Sequence, residues 1–194
     1  MASDTESHPF EPFLPEHAKV LFLGSFPPQP RRWSMEFYYP NFINDFWRII
    51  GIIFFDDKDR FVDVAVRKFK LPEIVSFCKE AGIALYDTAT VVRRMKDNAS
   101  DKFLEVVEPT DVGALLRKIP ECRAVVTTGE KATETLCALF GVPVPPVSGY
   151  SSFKHEGRVL RLYRLPSTSR AYPLPIQRKA DAYRRLFEEL GMYS

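Results

Sequence analysis

Val20-Leu21-Phe22-Leu23-Gly24-Ser25-Phe26-Pro27-Pro28 sets the reading of the whole chain. Four apolar residues closed by a glycine are too short a run for a helix and show no polar alternation. They predict a short, buried strand. Buried strands of this kind belong to parallel sheets covered by helices, and the loop leaving such a strand opens onto the crevice where α/β proteins hold ligands. Gly24 permits close approach of a ligand to the backbone, and Pro27 and Pro28 stiffen the turn. Taken alone, the motif is explained as well by an ordinary connection. It lacks the lysine of a phosphate-binding loop, and no Gly-x-Gly-x-x-Gly occurs in the chain.

Outward from this strand the pattern alternates. Phe46, Ile49, Ile50 and Ile53 have the spacing of a helix with one buried face, as do Val62, Ala65, Val66 and Phe69. Ile74, Phe77, Cys78 and Ala81 repeat it, with Gly82 as a stop. Ile83–Asp87 predicts a second strand, followed by a charged loop through Asp101. Thr110 is placed to cap a helix. Ala124–Thr127 predicts a third strand, and Ala132, Leu136, Leu139 and Phe140 a helix closed by Gly141. A proline-rich connection and a Gly/Ser loop lead to a fourth strand over 159–165. The final helix carries the stripe Ala180, Tyr183, Leu186, Phe187 and Leu190. Strands interleaved with helices predict an α/β fold: a three-layer α/β/α domain with a four-stranded, mainly parallel sheet. Residues 19–194 are expected to form one domain and residues 1–18 a poorly ordered lead-in.

Hydrophobic residues make up 45% of the 194 and charged residues 27%, the balance of a soluble globular protein. No run approaches the roughly 18 apolar residues of a membrane span, and the polar N-terminus does not read as a signal peptide. A cytoplasmic monomer without membrane contact is expected. Cys78, Cys122 and Cys137 predict buried free thiols and are too few for a four-cysteine site. His8, His17 and His155 fall in no ligand spacing. No metal and no cofactor are expected.

The charge is uneven. Between Lys154 and Arg185 nine Lys/Arg face only Glu156 and Asp181, on a chain of net charge +2. Such a stripe suits a polyanion, although a solvated strand and helix face accounts for it equally well when it stands alone. Its overlap with Leu165-Pro166-Ser167-Thr168-Ser169-Arg170 tips the balance, because hydroxyls and backbone amides at a strand exit pair with phosphate oxygens. The absence of a Gly-x-Ser-x-Gly elbow argues against a serine nucleophile. A third segment, 37–47, joins Tyr38, Tyr39, Phe42, Phe46 and Trp47 to Asn41 and Asn44. An aromatic face can stack an unstacked base, worth about 1–3 kcal/mol, and an Asn amide both donates and accepts. Either asparagine can instead cap the following helix, the preferred reading for Asn41.

In combination these motifs resemble the uracil-DNA glycosylase superfamily, nearest its hypoxanthine-DNA glycosylase branch. Gly24-Ser25-Phe26-Pro27, Tyr38-Tyr39, Asn44, Phe46-Trp47, residues 82–87 and Leu165 to Ser169 match that branch in order and spacing, over most of residues 19–190. The resemblance implies the strand order 2-1-3-4 and a monofunctional DNA glycosylase of base excision repair. Such an enzyme hydrolyses the N-glycosidic bond of a flipped-out deaminated base, hypoxanthine or uracil, with DNA as its partner. It implies that Asn44 is the catalytic amide and that Gly24, Ser25, Phe26, Pro27 and Tyr39 form the base pocket. It places Ser167, Thr168 and Ser169 on the DNA backbone and makes Arg170 and Tyr172 candidates for the wedge that enters the duplex. The chain departs from the branch in having Asn41-Phe42-Ile43 for His-Pro-Arg, Pro28 for a glycine and Arg170 for a proline. Two alternatives stand beside this reading: a non-catalytic nucleic-acid-binding protein of the same fold, and a nucleotide-binding α/β hydrolase.

Overall fold

Val20–Gly24 is a strand with every residue buried in the computed structural model of the chain, which describes residues 4–95 and 103–193. In chain order the elements are β1 (Glu6–Ser7), β2 (Val20–Gly24), α1 (Phe46–Phe55), β3 (Val62–Asp63), β4 (Lys68–Phe69), α2 (Leu71–Ala81), β5 (Ile83–Asp87), β6 (Ala89–Arg94) and β7 (Leu104–Pro109). They continue with α3 (Val112–Lys118), β8 (Ala124–Thr127), α4 (Glu130–Phe140), β9 (Tyr150–His155), β10 (Arg158–Arg164) and α5 (Ile176–Glu189).

The main sheet has the order β5-β2-β8-β10-β9. β2 pairs in parallel with β5 and β8, β10 pairs in parallel with β8, and β9 runs antiparallel on β10. On one face Phe22 of β2 meets Phe46 of α1 at 5.4 Å and Phe187 of α5 at 5.9 Å between ring centroids. Phe54 of α1 joins α2 and α5 through Phe77 at 5.0 Å and Phe187 at 4.9 Å. With the strand order β5-β2-β8-β10, the right-handed crossover rule puts α3 and α4 on the opposite face. There Leu115, Leu116 and Leu136 are buried, and Phe140 stacks on Phe153 of β9 at 4.3 Å. Each of these large side chains contributes about 1.5–3 kcal/mol by leaving water.

The sheet has five strands where four were expected. Tyr150–His155, read as a loop, is an edge strand that buries only Phe153, so it carries one inward apolar residue and no periodic signal. A two-residue turn joins it to β10, with Glu156 at φ 48° and Gly157 at φ 81°, the left-handed pair of a tight hairpin. The helix expected through Val62 and Phe69 is instead the hairpin β3–β4. Val62 and Phe69 are buried while Val64 and Val66 are exposed, so the helical spacing is coincidental among β-branched residues.

The charged stretch after Asp87 also differs from expectation. It forms β6, which with β1 and β7 makes a second, antiparallel sheet; residues 96–102 lie outside the described residues. α3 is capped by Asp111, whose carboxylate accepts the Ala114 N–H at 2.9 Å. The Thr110 hydroxyl instead donates to the Asp87 carbonyl at 2.6 Å.

The segment expected to be a loose lead-in is tied down over its described residues. Glu6–Ser7 pairs with β6, and the Phe13 and Leu85 backbones exchange hydrogen bonds of 3.0 and 2.9 Å. Phe10, Phe13 and Leu14 pack on the core. Three apolar side chains among prolines are too few for a periodic pattern but enough to anchor twelve or so residues through tertiary contact. Among the described residues no helix is long and apolar enough to cross a membrane.

Candidate functional site

The loops leaving β2, β5, β8 and β10 enclose one cleft of about 1300 Å³. Its walls include Gly24 to Pro28, Tyr38, Tyr39, Asn44, Asp87, Arg94, Arg164 and the whole loop from Leu165 to Pro173. The segments around Gly24, Asn44 and Ser167 therefore meet at the C-terminal edge of the parallel strands, where open α/β sheets bind ligands.

Gly24 has a steric reason to be glycine: a Cβ there would lie 2.6 Å from Asp87 Oδ1. Phe26 turns away from solvent into the satellite cluster with Ala89, Val92 and Leu104. The loop is clamped by Arg94, which donates to the Pro27 carbonyl at 3.2 Å and pairs with Glu6 at 2.9 and 3.0 Å. Pro27 and Pro28 have no N–H, so only Ser25 and Phe26 can present backbone donors here. Neither N–H is bonded to another described residue.

Asp87 closes the floor of the cleft. Its Oδ2 lies 2.8 Å from His8 Nε2, and His8 is enclosed by the rings of Phe10, Phe26, Tyr38 and Tyr86. Tyr38 is itself buried and donates to the Glu11 carbonyl at 2.6 Å. Burial, and then the Asp87 carboxylate, push its phenol far above the ordinary range, so it stays neutral.

Tyr39 adopts a left-handed backbone (φ 52°) that turns its ring flat against Phe46, 3.9 Å between centroids and 7° between planes. Its hydroxyl shares a 2.8 Å hydrogen bond with Thr128. One face is thus covered by Phe46, and the residue still lines the cleft.

Asn44 lines the cleft and caps α1 at once: its Oδ1 accepts the Phe46 N–H at 3.0 Å. Asn41, expected to cap the helix, instead accepts the Ile43 N–H at 3.2 Å in a turn ahead of it. Arg48 is buried beneath that turn, donating to the carbonyls of Phe42 at 2.7 Å and Asn44 at 3.3 Å.

The loop after β10 is held by its carbonyls. The Tyr183 hydroxyl donates to Pro166 at 2.8 Å, the Asp45 N–H to Thr168 at 3.0 Å and Lys179 Nζ to Ser169 at 2.7 Å. Lys179 is only 1% exposed, and burial draws its pKa below the usual lysine range. The Ser167 and Ser169 hydroxyl oxygens accept the Ser169 and Ala171 N–H groups, each at 3.2 Å, which leaves both hydroxyls able to donate at the cleft wall. That polarity suits an anion. The Thr168 side chain is buried, so this residue lines the cleft largely as backbone. Arg170 extends over α1 to Asp45, and Tyr172 is half-buried with Lys179 Nζ 5.7 Å from its ring centroid.

No family model matches the chain, and no curated protein matches it. The fold has a solved counterpart. The solution NMR structure of a "putative Uracil DNA glycosylase" from Methanosarcina acetivorans superposes with a TM-score of 0.61 at 22% identity, covering 95% of this chain and 98% of the other. At that identity the likeness is one of fold.

Three residues of the site were not legible in the sequence. His8 sits in the supposed lead-in, Asp87 reads as the last residue of a strand, and Lys179 as one charge of the basic stripe. The stripe itself is dispersed. Arg164 and Arg170 line the cleft, but Arg158 donates to the carbonyls of Leu116, Pro120 and Cys122, and Arg161 lies over Tyr150 beside Glu189. Arg32, Arg94 and Lys131, from outside the stripe, complete the cations of the cleft wall. Among the described residues no cluster of three or more His, Cys, Asp or Glu could hold a metal.

Proposed function

We propose that the chain is a monofunctional DNA glycosylase of the uracil-DNA glycosylase superfamily, acting on a deaminated base, hypoxanthine or uracil. The observation that carries this reading is the convergence in one cleft of Tyr39, Asn44 and the Ser167–Arg170 loop, from segments far apart in the sequence. The fold likeness supports it. A base within a duplex is unreachable, so the nucleotide is extruded into the pocket while the flanking backbone is gripped. Ser167, Ser169 and Arg164 supply donors for phosphate oxygens, and Tyr39 supplies a stacking face already backed by Phe46.

Cleavage of the N-glycosidic bond builds positive charge on the sugar and negative charge on the departing base. Asn44, its carbonyl anchored by the Phe46 N–H, orients the attacking water. The N–H groups of Ser25 and Phe26, fixed by the proline turn and the Arg94 clamp, stabilise the base anion without reorganisation. Asp87 Oδ1, on the floor, accepts an N–H from the edge of the base. No lysine falls in the matched motifs, and Lys131 reaches the cleft wall from α4, so the proposed reaction uses no Schiff base and ends at an abasic site. The test is a gel assay on labelled duplexes containing deoxyinosine or deoxyuridine, with alkali to cut abasic sites. Alkali-dependent cleavage of either supports the reading. Tight duplex binding with no cleavage of either favours the non-catalytic alternative.

A further inference from the structure

The N-terminal segment carries a side chain to the back of Asp87, on the floor of the cleft. His8 follows β1, whose pairing with β6 sets its position, and its side chain is 3% exposed. Four aromatic rings surround the imidazole, with centroids from 4.5 Å for Tyr86 to 6.2 Å for Tyr38, so it cannot turn away. Its Nδ1 lies 3.1 Å from the Phe10 N–H and 2.9 Å from the Phe10 carbonyl oxygen. Whether Nδ1 accepts from the one or donates to the other, an ionised Asp87 receives its hydrogen bond from Nε2–H, at 2.8 Å.

Oδ2 of Asp87 is therefore occupied from behind. Oδ1 is aimed at the bare Cα of Gly24, where a methyl group would stand 2.6 Å away. The carboxylate has one fixed oxygen left, and that oxygen only accepts. We infer that His8 is a positioning residue for base selection: it locks Asp87 so that the cleft admits a base presenting a ring N–H at Oδ1 and rejects its N-methylated counterpart. The inference rests on the glycosylase reading. It assigns to the segment before β2 a part in specificity in addition to stability.

The experiment compares release of the cleaved base, hypoxanthine or uracil, with release of its N-methyl analogue, 1-methylhypoxanthine or 3-methyluracil. Wild type, His8→Phe and His8→Gln are assayed in full-length protein. Phenylalanine keeps the aromatic packing but removes the donor; glutamine keeps a donor near Nε2. His8→Phe is expected to lower kcat about 10- to 100-fold, the loss expected for removing one hydrogen bond to a charged group. It should also narrow the preference for the unmethylated base, with affinity for undamaged duplex unchanged. His8→Gln should restore most of both. Should His8→Phe fail to fold, His8→Gly with and without added imidazole replaces it, and rescue by imidazole is the expected result. Wild-type rate and selectivity in His8→Phe, or equal losses in the Phe and Gln variants, overturn the inference and leave the glycosylase reading intact. A wild type that releases neither base overturns both.

Discussion

Arg170 Nε lies 3.0 Å from Asp45 Oδ1, so the loop after the last parallel strand is strapped to the start of α1, one residue beyond Asn44. Asp45 also gives its N–H to Thr168 and lies 3.9 Å from the buried Arg48. The strap links the Ser167–Ser169 side of the cleft to the side that holds the Asn44 amide. Arg170 is thus held as a strut, and the proposed wedge role passes to Tyr172. Arg170→Ala should therefore slow base release similarly in duplex and single-stranded DNA. Tyr172→Ala should slow it more in the duplex, where a base must be extruded and the gap filled. Parallel single-turnover assays on the two substrates decide it; equal losses for Tyr172→Ala remove the wedge from this loop.

Asn44→Ala separates capping from chemistry. Loss of the bond to the Phe46 N–H should cost about 1 kcal/mol in urea denaturation. Base release should fall to the limit of detection, with duplex affinity retained. A folded variant with full turnover would return Asn44 to a cap.

Gly24→Ala tests the close approach to Asp87. Because His8 holds the carboxylate from the other side, Oδ1 has little room to retreat. The substitution should destabilise the protein by about 1–3 kcal/mol, as overpacking does, and abolish base release. Denaturation midpoints and initial rates report the two effects separately.

Arginines of the C-terminal stripe should divide into two groups. Arg164→Ala is expected to lower affinity alike for damaged and undamaged duplex and to flatten the log–log salt dependence by roughly 0.9. Arg158→Ala should leave that slope unchanged and reduce stability instead, because its guanidinium serves three carbonyls around the end of α3. Binding titrations at several salt concentrations distinguish them.

Burial pushes the Cys78 thiol up to about 12. The unfolded chain, with its thiol near 8.5, then loses the proton first as pH rises, so the folded state binds more protons and stability falls. Between pH 8 and 10 this one group should remove about 2 kcal/mol. Cys78→Ala lacks that contribution, so its stability should decline less steeply than that of the wild type over the same interval in urea melts.

The parallel strands and most helices were legible because each is a local pattern. Val20–Leu23, Ile83–Tyr86 and Ala124–Val126 are uninterrupted apolar runs, and α2 and α4 end on glycines in the left-handed conformation. What escaped was whatever depends on a partner. β9 buries one side chain against α4, β3 and β4 mimic a helical spacing, and β1 is held by β6. The two loops that line the cleft were recognisable by their residues. His8 and Lys179 were not, since a buried histidine or lysine is defined by surroundings that lie 79 and 10 residues away in sequence.

The pairing of β2 also dictates the order in which the chain can be completed. Its neighbour β8 lies about a hundred residues downstream, and the ring of Phe22 is covered by Phe187, in the last helix. A nascent chain on the ribosome must carry this apolar strand, open along one edge and over one face, until β8 and then α5 have emerged. Such long-range closure is slow and leaves hydrophobic surface uncovered meanwhile. The most sensitive period for aggregation therefore precedes release of α5, and a chaperone that shields Val20–Gly24 in that interval would raise the yield of folded protein.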